Sequence, residues 1–220
     1  MHSPLLLLSL FLLLLFILII ITEVMYRYLK ISAEKSRKFL HVSGGLFCLL
    51  LPSFFNSHWW VLILAAAAFI LLLITYLKKM LPSIHLTQRR SIGSVIFPIP
   101  VYICFLIAEI KHNDLFFYLP ISLLAIADTA AEIGGNQWGY LSRQFFNGQK
   151  TLIGSLSFFI AAFIICFAWL FFGYHYPIVE IIEMSLLIAL LSCVAELFTL
   201  HGWDNLSVPA VTLILLEVFL

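Results

Sequence analysis

The sequence predicts an all-α fold: a polytopic membrane helix bundle of about eight transmembrane helices, with no soluble domain. Three observations predict it. Of the 220 residues, 63% are hydrophobic and 10% charged, against about half and about a quarter in a soluble domain, and mean hydropathy is +1.11. The apolar residues gather in runs close to the roughly 17–25 residues that cross a bilayer as a helix. No polar stretch approaches the ~50 residues of a small soluble domain, so the chain reads as a single integral membrane domain over 1–220. A net charge of +1 offers nucleic acid no electrostatic footprint.

The spans are read at 4–22, 39–56, 59–77, 93–110, 115–133, 152–173, 178–199 and 205–220. The first lacks a basic segment ahead of Leu5 and a small-residue cleavage site around Ile21-Thr22-Glu23-Val24, so it reads as a retained span and not as a signal peptide. The second opens on Arg37-Lys38-Phe39-Leu40-His41-Val42-Ser43-Gly44-Gly45, and the last is short; if either does not span, the count is seven. The fifth carries Asp128 and Glu132, the sixth starts after Lys150-Thr151, and the seventh carries Glu196. Cys48, Cys104, Cys166 and Cys193 stand singly in apolar runs with no C-x-x-C pair, as packing residues do.

Charge sets the expected orientation. Arg27, Lys30, Lys35, Arg37 and Lys38 follow the first span, Lys78, Lys79, Arg89 and Arg90 the third, and Arg143 and Lys150 the fifth; Lys111 alone lies in an alternate loop. The positive-inside rule places the loops after the first, third and fifth spans in the cytoplasm and both termini outside. The candidate chemistry then gathers near the cytoplasmic face, while Glu109, Glu180, Glu183 and Glu217 fall toward the outer ends, where no chemistry is expected. There is no internal repeat of the kind that builds transporters from inverted halves.

Asp128 and Glu132 are the most informative pair. They share one helix face at i, i+4, and an acid inside a membrane helix is costly enough to be a functional-site hypothesis by default. They suit a Mg²⁺ and phosphate site, because hard cations take carboxylate oxygens; the alternative is an acid paired with a lysine to hold the bundle together. In Lys150-Thr151-Leu152-Ile153-Gly154-Ser155 a cation precedes a helix start containing glycine and hydroxyls. Free N–H groups and the positive dipole end there suit phosphate; a capped helix with an interfacial lysine is the alternative.

Gly134-Gly135-Asn136-Gln137-Trp138-Gly139 has the G-x-x-x-x-G spacing, but Tyr140-Leu141 replaces the Lys and Ser/Thr of a P-loop and no strand precedes it, so a P-loop is rejected and a flexible turn near a nucleotide is left. Asp204-Asn205 resembles a Mg²⁺ ligand pair of phosphoryl transfer, or caps the last helix. Glu196 lies two turns inside its span and faces the bundle. His41 is a candidate proton acceptor or phosphate donor.

Together these pieces resemble the membrane family of CTP-dependent lipid kinases, comprising dolichol (polyprenol) kinase, phytol kinase and the CTP-dependent diacylglycerol kinases, which are relatives of the phosphatidate cytidylyltransferases. The likeness runs from about residue 36 to the C-terminus. It rests on Arg37-Lys38 with His41 and Gly45, on Asp128-x-x-Ala131 with Gly135 and Gly139, on Lys150-Thr151-x-x-Gly154-Ser155, and on Glu196 with Asp204-Asn205 and Pro209. Family members often carry a basic residue where this chain has Asn136; Arg143 is the candidate replacement.

The resemblance implies transfer of the γ-phosphoryl group of CTP to the hydroxyl of a membrane lipid alcohol, with Mg²⁺. Asp128, Lys150, Asp204 and His41 are the expected catalytic residues. Asp128, Glu132, Glu196 and Asp204 are the expected metal ligands. Arg37, Lys38, Gly135, Gly139, Arg143, Lys150, Thr151, Gly154, Ser155 and Asn205 are the expected nucleotide-binding residues. Two other readings stand beside it: a cytidylyltransferase that forms a CDP-lipid, and a transporter using the intramembrane acids as a proton or cation relay.

Overall fold

The computed structural model describes residues 3–85, 91–146, 150–174 and 176–220; Arg89, Arg90, Gln149, His2 and His175 lie outside them. Its helices are α1 (Pro4–Arg27), α2 (Ala33–Cys48), α3 (Leu51–Phe54), α4 (His58–Leu77), α5 (Pro82–His85), α6 (Gly93–Ile96), α7 (Pro98–Lys111), α8 (Leu115–Ser122), α9 (Asp128–Trp138), α10 (Leu152–Gly173), α11 (Ile178–Phe198) and α12 (Asp204–Phe219). A π-helical turn, Leu123–Ala127, joins α8 to α9. Among the described residues the only sheet is a hairpin of β1 (Gln144–Phe145) with β2 (Lys150–Thr151), paired antiparallel.

Local chemistry explains the boundaries. Ser3 caps α1 by accepting the Leu6 N–H at 3.3 Å, with Pro4 at the first position, where its missing donor costs nothing. Ser32 caps α2, which therefore starts before residue 39, the expected start of the second span. That span is also broken: α2 stops at Cys48, and Pro52 sits at the start of the short α3. His112 closes α7 in the left-handed region at φ 52°.

Among the described residues, six helical stretches are long and apolar enough to cross a membrane: Pro4–Arg27, His58–Leu77, Gly93–Lys111, Leu115–Leu141, Leu152–Gly173 and Ile178–Phe198. With exposed leucines, isoleucines and phenylalanines along α1, α10 and α11, they make the chain an integral, multi-pass membrane protein. The second and last expected spans, now α2 and α12, have 16 residues each and do not reach that length.

α8 and the π turn form the centre. Phe117, Leu119, Ile121, Leu123, Leu124 and Ala125 are all fully buried, as expected of a helix apolar on every side. One polar group at this depth is satisfied: Trp169 Nε1–H donates to Ser122 Oγ at 3.1 Å, and its ring stacks on Tyr118. α10 packs between α9 and α11, and α12 returns against α8 and α7. Cys104 and Cys166 are buried and all four thiols are free, in agreement with the packing role.

Gly134 and Gly135 correct an expectation. They do not form a turn; α9 runs through them to Trp138. A Cβ at Gly134 would collide with Ser157 of α10, and one at Gly154 would lie 3.0 Å from the Ala131 carbonyl. The glycines let two helices meet backbone to backbone, and that packing overrides the local turn preference.

The bundle has two polar ends. At one, Arg37 pairs with Glu132, Lys150 with Glu196 and Asp204, and Ser83 with Glu23. At the other, Lys111 pairs with Glu217 at 2.5 Å, Glu109 accepts the His58 N–H, and Tyr174 donates to Asn113.

Candidate active site

At the first of these ends the structure brings Asp128, Glu196 and Asp204 together, each with a ligand oxygen within 4.8 Å of the others'. They arrive from α9, α11 and the start of α12, and Lys150 at the start of β2 sits among them. Its Nζ pairs with Glu196 and lies 3.2 Å from Asp204 Oδ2. Burial alone would lower the Lys150 pKa; the charges of Asp204, Glu196 and Asp128 outweigh it and hold the ammonium above the ordinary lysine range.

Among the described residues, three carboxylates meet at one ammonium, and Glu196 Oε2 is buried without a hydrogen-bond partner. A divalent oxygen-seeking cation answers both features, since burying an unpaired carboxylate oxygen is expensive. The residues present therefore fit Mg²⁺. Glu132, expected as a fourth ligand, stands apart from the three. Arg37 Nη2 donates to its Oε2 at 3.2 Å and Lys38 Nζ lies 3.3 Å from its Oε1, which makes no hydrogen bond, so this acid ties α2 to α9.

The π turn and Gly45 place His41. A Cβ at Gly45 would collide with Ala125, so glycine lets α2 lie directly on the π turn. There the Asp128 N–H bonds to the Leu123 carbonyl, five residues back, a geometry that recurs at functional sites. His41 Nε2 meets the Leu124 carbonyl at 2.9 Å and lies 3.6 Å from Asp128 Oδ2. A carbonyl only accepts, so Nε2 carries the proton and Nδ1 is the ring's basic nitrogen.

Two polar cavities meet at this cluster. The first, of about 250 Å³, is lined by Asp128, Glu132, Arg37, Lys150, Glu196 and Asp204, among others. The second, of about 190 Å³, is lined by Gly135, Gly139, Lys150, Thr151, Gly154 and Ser155, again among others. Asn136, Lys150 and Glu196 line both. In the second, Thr151 caps α10 by accepting the Gly154 N–H at 3.1 Å, while Ser155 Oγ is buried and unpartnered. Gly139 gives Thr151 room, since a Cβ there would lie 2.7 Å from Thr151 Cγ2. Six of the expected nucleotide residues thus share one small polar cavity at a helix start, where N–H groups and the dipole favour anions.

The remaining expectations divide. Arg143 is exposed, its guanidinium 5.7 Å above the Phe145 ring, and it lines neither cavity. Asn205 is buried, its Nδ2–H donating to the Gly93 carbonyl at 2.8 Å, which fastens α12 to α6. Neither Asp204 nor Asn205 caps α12: Trp203 occupies the cap, and Asp204 turns to Lys150. His201 and Gly202, in the left-handed region at φ 60° and 91°, bend the chain here, and a Cβ on Gly202 would strike Gly93.

A third cavity, apolar and of about 100 Å³, lies between α1, α2, α4 and α7, with His41 in its wall; Arg37 and Asn205 line both it and the first polar cavity. Sequence reasoning did not anticipate it, because its walls are ordinary span residues.

Comparison with known proteins finds a likeness to a lipid kinase. The chain is 24% identical over 194 residues to the phytol kinase of Synechocystis sp. (strain ATCC 27184 / PCC 6803 / Kazusa), an alignment covering 87% of this chain and 82% of that protein. The chain is similar to this lipid kinase over most of its length. The likeness supports the lipid-kinase family resemblance that the motifs carry. No family model matches the chain. No solved structure matches it.

Proposed function

We propose that the protein is a lipid-alcohol kinase that transfers the γ-phosphoryl group of CTP to the hydroxyl of a membrane-embedded alcohol at the cytoplasmic face. The observation that carries the reading is the junction at Lys150. This one cation faces the Asp128–Glu196–Asp204 cluster on one side and the glycine- and hydroxyl-lined cavity on the other. The relative's activity agrees with a lipid acceptor, and the basic loops at this end agree with a cytoplasmic site.

In this reading Gly135, Gly139, Gly154 and the α10 N–H groups seat the phosphates, and Ser155 Oγ–H and Lys150 donate to them. Asp128, Glu196 and Asp204 would hold Mg²⁺, which would supply neutralisation of the phosphate charge. The alcohol oxygen attacks the γ-phosphorus, the bond from the γ-phosphorus to the bridging oxygen breaks, and CDP leaves. The alcohol proton passes to His41 Nδ1, whose ring the Leu124 carbonyl orients. Positioning and charge stabilisation do most of the work in such chemistry.

Incubation of the purified protein with γ-labelled CTP or ATP, Mg²⁺ and a panel of phytol, polyprenol and diacylglycerol tests the proposal. The expected result is labelled lipid phosphate with release of CDP. Pyrophosphate release with a CDP-lipid product makes it a cytidylyltransferase instead, and absence of label from every alcohol overturns the kinase reading.

A further inference from the structure

α2 carries two adjacent buried glycines with opposite surroundings. Gly45 has a packing reason, its contact with Ala125, whereas a Cβ built on Gly44 meets nothing within 4 Å. Glycine inside a helix costs about 0.5–1 kcal/mol relative to alanine, and no neighbour compels it at Gly44. What Gly44 faces is the apolar cavity, which it lines with His41, Cys48, Leu64, Ala68 and Val101.

The position of that cavity gives the space a use. It starts beside His41, whose ring lies 3.6 Å from Asp128. It shares Arg37 and Asn205 with the polar cavity that holds the carboxylates. Gly44 stands one turn beyond His41 on the same helix face, about 4.5 Å along the axis. The apolar cavity thus offers the chain of a hydroxyl seated at His41 a route past Gly44.

We infer that this cavity receives the tail of the acceptor alcohol, and that Gly44 is a specificity-determining residue whose missing side chain leaves the width the chain needs. The inference rests on the lipid-kinase reading for the identity of the acceptor. A bulky side chain at Gly44 then blocks alcohols whose chain passes this point and spares those whose chain ends before it. Gly44 touches no reacting atom, so the nucleotide half of the site is unaffected.

The test uses the purified full chain, wild type and Gly44→Ala, Gly44→Leu and Gly44→Phe, with Ala68→Leu narrowing the cavity from α4 as a second, independent variant. Phytol is compared with the short alcohol prenol, and a long-chain alcohol bearing a photoreactive tail group gives a readout independent of turnover. Gly44→Ala is expected to match wild type within a few-fold. Gly44→Leu, Gly44→Phe and Ala68→Leu are expected to lower kcat/KM for phytol by roughly 10–200-fold, the discrimination of one or two displaced methylenes. Their kcat/KM for prenol and KM for nucleotide stay unchanged, and photolabelling within 40–51 and 61–72 is lost. Equal losses for phytol and prenol, or labelling that persists in Gly44→Phe and Ala68→Leu, overturn the inference. A wild type that phosphorylates no alcohol refutes the kinase reading, while the labelling still decides what the cavity holds.

Discussion

Replacing Lys150 by methionine removes the ammonium paired with Glu196 and Asp204 while keeping its bulk. The Lys150, Glu196 and Asp204 side chains are only 14%, 4% and 17% exposed, so water screens the loss poorly. At the 3.2 Å Lys150–Asp204 separation, the attraction is about 5 kcal/mol at an effective dielectric of ~20. Desolvation offsets part of this, and breaking a buried pair costs about 3–5 kcal/mol net. Lys150→Met is therefore expected to lose about 3–5 kcal/mol of unfolding free energy in metal-free detergent solution. Because the cluster then carries more uncompensated negative charge, Mg²⁺ recovers more stability in the variant than in wild type. The pH dependence has a definite sign. The Lys150 pKa is raised on folding, so its contribution is complete below the ordinary lysine value of about 10.4 and disappears as pH rises through the higher folded value. Wild type should lose this increment in strongly alkaline solution, and Lys150→Met should have none to lose. Denaturant titration with and without Mg²⁺ decides it: a variant as stable as wild type, or one that Mg²⁺ does not rescue, refutes the reasoning.

Other substitutions separate the parts of the site. Asp128→Asn is expected to lower phosphoryl transfer by about 10²–10³-fold or more, comparable to removing one transition-state stabilising group, with membrane insertion intact by fractionation. Glu132→Gln releases Arg37 and Lys38 but should leave divalent-ion affinity within a few-fold of wild type in a Mn²⁺ titration, because Glu132 lies outside the three-acid cluster. Ser155→Ala should raise the nucleotide KM roughly fivefold, the worth of one hydrogen bond of ~1 kcal/mol, without altering the acceptor KM. Gly45→Val drives α2 off Ala125 and should lower kcat by about 10²-fold through displacement of His41, measurable with nucleotide binding retained.

Much of this site was legible because acids and lysines inside apolar runs need a reason to be there. Asp128 and Glu196 announce themselves that way, Lys150 and Asp204 stand beside polar residues at helix starts, and the four meet. The charges of Arg37, Lys38 and Glu132 were equally visible, but their partnership across 95 residues of chain is a tertiary fact with no local signal. Gly134-Gly135 reads locally as a turn; only the close approach of α10 explains why it stays helical. Asn205 has the chemistry of a ligand, yet its amide goes to Gly93, a contact fixed by the bend at Gly202. Arg143 was assigned by sign of charge alone, and the hairpin carries it onto Phe145 instead. The π turn after Pro120 and the apolar cavity carry no sequence signature, because leucine and alanine look the same in a packed span as in a cavity wall.

The central claim is that Asp128, Glu196 and Asp204 hold one divalent ion beside a bound triphosphate. Electron paramagnetic resonance of Mn²⁺ titrated into the purified protein with CTP tests it most directly, against Asp128→Asn and Asp204→Asn. A single protein-held Mn²⁺ whose signal changes on adding nucleotide, lost in both variants and kept in Glu132→Gln, is the predicted result. Mn²⁺ binding that is unchanged when Asp128 and Asp204 are replaced contradicts the account.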